Sequence, residues 1–165
     1  MLTKKEAQFL YQNGMNDLTA HTLDAAHAYK VVKFKNILRD VCNKINDSDQ
    51  ALYKELGIDE AFIKRFDELN GKEKLTNKEQ EELATKLATD KRLGEMRETM
   101  LSEEASLSEA KTMPYEQWKR LQDENKERIL YYRDNRGNIT GTKELLMVYE
   151  EMLEGILWVA PVDAE

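Results

Sequence analysis

At 165 residues the chain is long enough for one domain, or for a domain with an appendage. Its net charge of −7 disfavours general nucleic-acid binding, which needs a positive field, and its single cysteine, Cys42, excludes an intrachain disulfide or a thiolate metal cluster. Hydrophobic residues, at 41%, can fill a core, and the charged 35%, above the usual quarter, must cover solvated helix faces.

Helix is the default throughout, because Pro114 and Pro161 are the only prolines. Thr3 and Glu6 form a capping box, with Leu2 just outside it, and open a short helix that runs to about Asn13 and ends at Gly14. Gly14 and Gly57 then bracket a run, Asp17–Leu56, without Gly or Pro. Within it Val31, Phe34, Leu38, Val41, Ile45 and Leu52 recur at 3–4 spacing, broken only at Ser48, which predicts one long amphipathic helix with a coiled-coil-like seam. At about 1.5 Å per residue it would extend roughly 60 Å, so an elongated antiparallel bundle is expected. Asn46–Asp49, four poor helix formers, is its weakest place, and the apolar spacing resumes in phase at Leu52.

Asp59 caps the next helix, with Ile58 and Ile63 as a hydrophobic staple and Phe62, Phe66 and Leu69 on its apolar face. After Asn70-Gly71, a second capping box, Thr76 with Glu79, opens a helix from Asn77 towards Ala110. Pro114 fits the first turn of the following helix, whose buried side carries Trp118, Leu121, Ile129 and Leu130. Asp134–Asn138 is a strong turn signal, about which Leu130–Arg133 and Asn138–Thr140 can pair as a small hairpin. Thr142 caps a last helix bearing Leu145, Leu146, Val148, Tyr149, Met152 and Leu153. An extended, apolar, β-prone tail, Ile156–Val159, closes at Pro161 and must bury against the body or a partner. The organisation expected is a single helical domain over 1–165, all-α apart from the hairpin and tail.

The search for chemistry yields no catalytic, metal or cofactor-binding residues. Placing Gly137 at the glycine of a calcium loop puts Tyr132 first and Lys143 last, and neither position then supplies the ligands the loop needs. His21 and His27, six apart on one helix, point away from a common face. Cys42 beside Val41 reads as a small buried apolar residue. Lys30, Lys33 and Lys35, interleaved with Tyr29 and Phe34, read as flanks of the seam rather than as a nucleic-acid stripe. Glu150, Glu151 and Glu154 form an E-E-x-x-E run that resembles the magnesium-binding helix of all-α nucleotide pyrophosphohydrolases. That resemblance implies a metal-dependent nucleotide hydrolase, and it needs a downstream E-x-x-D helix that residues 155–165 do not supply.

Two further segments carry a second resemblance. Tyr29–Gly57, ending Leu52-Tyr53-Lys54-Glu55-Leu56-Gly57, and Asn135-Arg136-Gly137-Asn138-Ile139 followed by Tyr149-Glu150-Glu151-Met152-Leu153 resemble small phage-encoded helical proteins of uncharacterised function. In those proteins a long helix, an N-G-N-type turn, a short helix and an extended tail follow in this order. The resemblance implies a phage or mobile-element origin, with residues 59–125 a helical insertion, and it transfers no functional residue. The function expected is therefore a non-enzymatic, cytoplasmic protein–protein interaction or assembly protein. It would use the open end of the 31–52 seam or the tail Ile156–Val159, with a protein partner or a second copy, and without membrane or nucleic acid. The metal-dependent hydrolase, using Glu150, Glu151 and Glu154, is the alternative.

Overall fold

The computed structural model describes residues 1–161, which include the whole of the expected tail; residues 162–165 lie outside the described residues. Among the described residues seven α-helices dominate, and two two-stranded sheets join them, so a helix-rich class holds while a purely all-α one is incomplete. No helix is long and apolar enough to cross a membrane. The chain divides into two compact units: Met1–Cys42 with Glu104–Glu165, and Asn43–Glu103, which is continuous in sequence.

In the first unit, α1 (Lys4–Gln12) opens on the expected capping box. Glu6 N donates to Thr3 Oγ1 and Thr3 N to Glu6 Oε1, each at 3.1 Å. Leu2 is buried, and its carbonyl accepts Ala105 N at 2.8 Å. Gly14 ends this segment at φ +110°, and a Cβ there would lie 2.9 Å from Leu145 Cδ2, so the position needs glycine twice over.

The long helix differs from expectation at its start. α2 runs Ala25–Glu55, about 46 Å long at 1.5 Å per residue, whereas Met15–Asp17 is a 3-10 turn and residues 18–24 form a non-helical strap. The strap buries Leu18 and Leu23, and α5 (Tyr115–Glu124) with its cap Asn125 meets its main chain. Asn125 Oδ1 accepts Thr19 N at 3.0 Å, and Asn125 Nδ2 donates to Thr19 O at 2.8 Å. Glu124 Oε1 accepts Thr22 N at 2.6 Å and Gln117 Oε1 accepts Asp24 N at 3.1 Å. Side chains roughly a hundred residues away thus replace the helical hydrogen bonds this stretch would otherwise make. α2 itself passes without a break through Asn46–Asp49, and Val31, Phe34, Leu38, Val41 and Ile45 of the seam are buried.

The remaining elements of this unit also depart from the expected bounds. β1 (Met113–Pro114) pairs in parallel with β4 (Trp158–Val159), so Pro114 caps α5 from a strand rather than sitting in its first turn. β2 (Ile129–Arg133) and β3 (Ile139–Glu144) form the antiparallel hairpin, which takes Ile129 and Leu130 out of α5 and Thr142 out of the last helix. That helix is two single turns, α6 (Leu145–Val148) and α7 (Glu150–Leu153), broken at Tyr149. Trp118, Leu121, Tyr149, Leu153 and Leu157 are almost fully enclosed, and the Trp118 and Trp158 rings stack at 6.1 Å.

The second unit holds the end of α2, α3 (Glu60–Asn70) and α4 (Asn77–Leu101). Asp59 caps α3, accepting Phe62 N at 2.8 Å, and Thr76 with Glu79 caps α4 as a full box. Of the expected staple, Ile58 is buried but Ile63 is half exposed. α4 stops well short of Ala110: Ser102 is its C-cap, still bonded to Glu98 O at 3.0 Å, and beyond it Ala105 N donates to Leu2 O rather than continuing the helix. Ion pairs stitch the helices. Arg65 grips Glu82 through Nε at 2.8 Å and Nη2 at 3.0 Å, and Arg97 grips Asp49 at 2.8 and 3.1 Å. Lys86 Nζ lies 4.2 Å above the Phe62 ring.

Candidate functional site

The hairpin is built around the turn that the sequence marks. Asp134 carboxylate oxygen accepts the N–H groups of Arg136 and Asn138, both at 2.9 Å, and Gly137 adopts φ +81°. Those main-chain bonds hold the Asp134 carboxyl below its ordinary range. A bulge between Tyr132 and Arg133 shifts the register. Every residue from Tyr131 to Lys143 is exposed, including the aromatic rings of Tyr131 (56%) and Tyr132 (40%) and the side chain of Ile139 (53%). From Lys126 to Glu144, five basic residues stand against three acidic ones, a net of +2 in a chain of −7.

A groove of about 700 Å³ runs along the β2 side of this hairpin. Ile129–Arg133 form one wall, Phe9, Asn13 and Gly14 another, and Leu145 also contributes to its lining. Phe9, nearly half exposed, meets Tyr149 edge to face at 6.2 Å. The Tyr149 hydroxyl is buried without a hydrogen-bond partner among the described residues, and burial, with Tyr132 adding to it, pushes the phenol up to about 12.

The residues singled out by chemistry lie elsewhere and are largely occupied. Glu150 Oε1 accepts Trp118 Nε1 at 3.2 Å and Gln122 Nε2 at 3.3 Å, while Trp158 Nε1 donates to Glu150 O at 2.8 Å. α7 is one turn long and Glu154 lies beyond its end, so the three glutamates do not form the continuous metal-binding helix that E-E-x-x-E resembles. They line a separate groove of about 320 Å³ with Tyr115 and Trp158. Among the described residues no group of three or more His, Cys, Asp or Glu side chains is placed to hold a metal ion.

Each lysine of the stripe latches a different segment. Lys30 Nζ donates to Thr112 O at 3.0 Å and lies 3.1 Å from His27 Nδ1. Lys33 faces Glu109 at 3.9 Å, and Lys35 donates to Leu18 O. His21 is exposed and shares no site with His27. Cys42 is buried, and burial pushes its thiol up, away from nucleophilic use.

The two surfaces the sequence offered for contact are mostly internal. The seam is buried as far as Ile45 and half-buried at Leu52. In the tail, Leu157 and Trp158 are enclosed, because β4 pairs with β1 and Met113 N donates to Leu157 O at 2.8 Å; only Val159 is well exposed. Sequence reasoning found the hairpin turn but missed the hairpin as a surface. Nothing local in Tyr131-Tyr132-Arg133 encodes whether another element covers them. No family model, curated protein or solved structure matches this chain.

Proposed function

We propose that this protein is a non-enzymatic helical interaction or assembly protein, of the kind encoded by phages and mobile elements, and that it meets its partners through the β2–β3 hairpin. The observation that supports this reading is the run of exposed residues from Tyr131 to Lys143, with two tyrosines and an isoleucine uncovered beside an open groove. A two-stranded sheet has unpaired main-chain groups along both edges, and proteins ordinarily cover, shorten or charge such edges. The β2 strand ends in a bulge and a charge, Arg133, but the stretch before them lies uncovered beside apolar surface, an arrangement suited to a second strand. The lysines and Glu150, by contrast, are engaged in bonds that hold the fold.

The test is site-specific photo-crosslinking in cells that naturally carry the gene. A benzoylphenylalanine in place of Tyr132 should give a discrete adduct with a polypeptide, whether another protein or this one. The same group at Leu87, exposed but on α4, should not. A folded protein that forms no adduct from Tyr132 would end this reading.

A further inference from the structure

We infer that the β2 edge is a self-pairing edge: two copies of this chain join antiparallel along β2, about a two-fold axis at Tyr131. This rests on the interaction reading above and adds the identity of the partner.

The first argument is main-chain direction. Leu145 N donates to Arg128 O at 2.8 Å, and Asp134 N donates to Asn138 O at 2.9 Å. Antiparallel strands alternate, so even-numbered residues of this strand turn their N–H and C=O towards β3, while Ile129, Tyr131 and Arg133 turn theirs to the outer edge. Pairing two such edges about Tyr131 sets Ile129 opposite Arg133 of the second copy and Tyr131 opposite its own counterpart. Every outward group then meets an outward group, giving about six new main-chain hydrogen bonds.

The second argument is charge. The same register places Arg128, whose guanidinium also donates to Asp17 O at 2.9 Å within its own chain, opposite Asp134 of the second copy, and by symmetry Asp134 opposite its Arg128. Leu130 then faces Tyr132, an aliphatic–aromatic cross-strand pair. Moving the axis to Tyr132 sets Arg128 against a second Arg136 and Leu130 against Asp134. Moving it to Leu130 leaves Arg133 and Asp134 facing the Lys126–Glu127 turn rather than a strand. Tyr131 is thus the centre that gives complementary pairs over the full strand. The two-fold arrangement is isologous and closes on itself, which limits the product to a dimer.

Sedimentation velocity on the full chain decides. At about 100 μM the protein should sediment as a dimer, since even a micromolar Kd would pair most chains. Tyr131→Pro removes an outward N–H and leaves the β2–β3 ladder its bonds, so it should give a monomer with unchanged helical circular dichroism. Arg128→Asp, which sets two like charges opposite each other twice, should raise the dissociation constant about tenfold. In a Cys42→Ala background, Tyr131→Cys should form a disulfide-linked dimer on mild oxidation, and Leu87→Cys should not. A wild-type monomer at this concentration, or a dimer indifferent to Tyr131→Pro, would overturn the inference. A monomer that still crosslinks another polypeptide from Tyr132 sinks self-pairing alone; no adduct of any kind sinks the interaction reading with it.

Discussion

Glu124 shows how a single side chain shapes this protein. Burial pushes its carboxyl up, but its polar contacts with the strap, among them the Thr22 N–H donated at 2.6 Å, outweigh that and hold it at about 2. A carboxyl with a depressed folded-state value contributes stability above its unfolded value, about 4.3, and that contribution is lost as pH falls through about 2. Glu124→Gln should therefore be less stable than the parent at pH 7, and the gap should narrow from about pH 5 downwards and vanish near pH 2. Urea midpoints for both proteins across that range check it, and a constant gap would mean that Glu124 acts through packing alone. The capping residues Thr3, Asp59 and Thr76 were legible in the sequence because their partners lie three residues away. Glu124 and Asn125 were not, because what they cap is a strap roughly a hundred residues earlier, a pairing that no local pattern encodes.

The same division between local and distant causes decides the elements. α2 keeps its helix through Asn46–Asp49 although intrinsic propensity is poor there, since Ile45 is buried on one side and Asp49 is held by Arg97. Asn46 itself is exposed and mid-helix, so Asn46→Ala should raise stability by about 0.5 kcal/mol, as propensity alone requires. Had the helix ended there with Asn46 as a cap, the same change would cost about 1 kcal/mol; the sign of the shift in urea midpoint separates the two. The helix start was misread because the absence of Gly and Pro permits helix without demanding it. Asp17, Thr19, Thr22 and Asp24 are all residues that favour turns and caps when an alternative partner exists. The hairpin turn was legible from Asp134, Gly137 and Asn138. That its strands stand uncovered was not, because exposure depends on which other elements fail to pack there.

At the scale of the whole molecule, the two units hold themselves together by different means. Among the described residues, the second unit encloses Ile45, Ile58, Leu69, Leu93 and Leu101, and relies on Arg65–Glu82 and Arg97–Asp49 across its helices. Such solvent-screened ion pairs contribute little and weaken further in salt. The first unit encloses a larger set, including both tryptophans, Phe34, Tyr149 and Met113. Buried apolar area is the main stabilising term, so the second unit should open first. Trp118 and Trp158, the only tryptophans, report the first unit alone, whereas helical circular dichroism reports both, since α3 and α4 lie in the second. In urea the dichroism should therefore begin to fall before tryptophan fluorescence changes, and the early phase should move to lower urea as sodium chloride is raised. Coincident transitions would instead mean that the helix shared by both units, α2, couples them into one cooperative step.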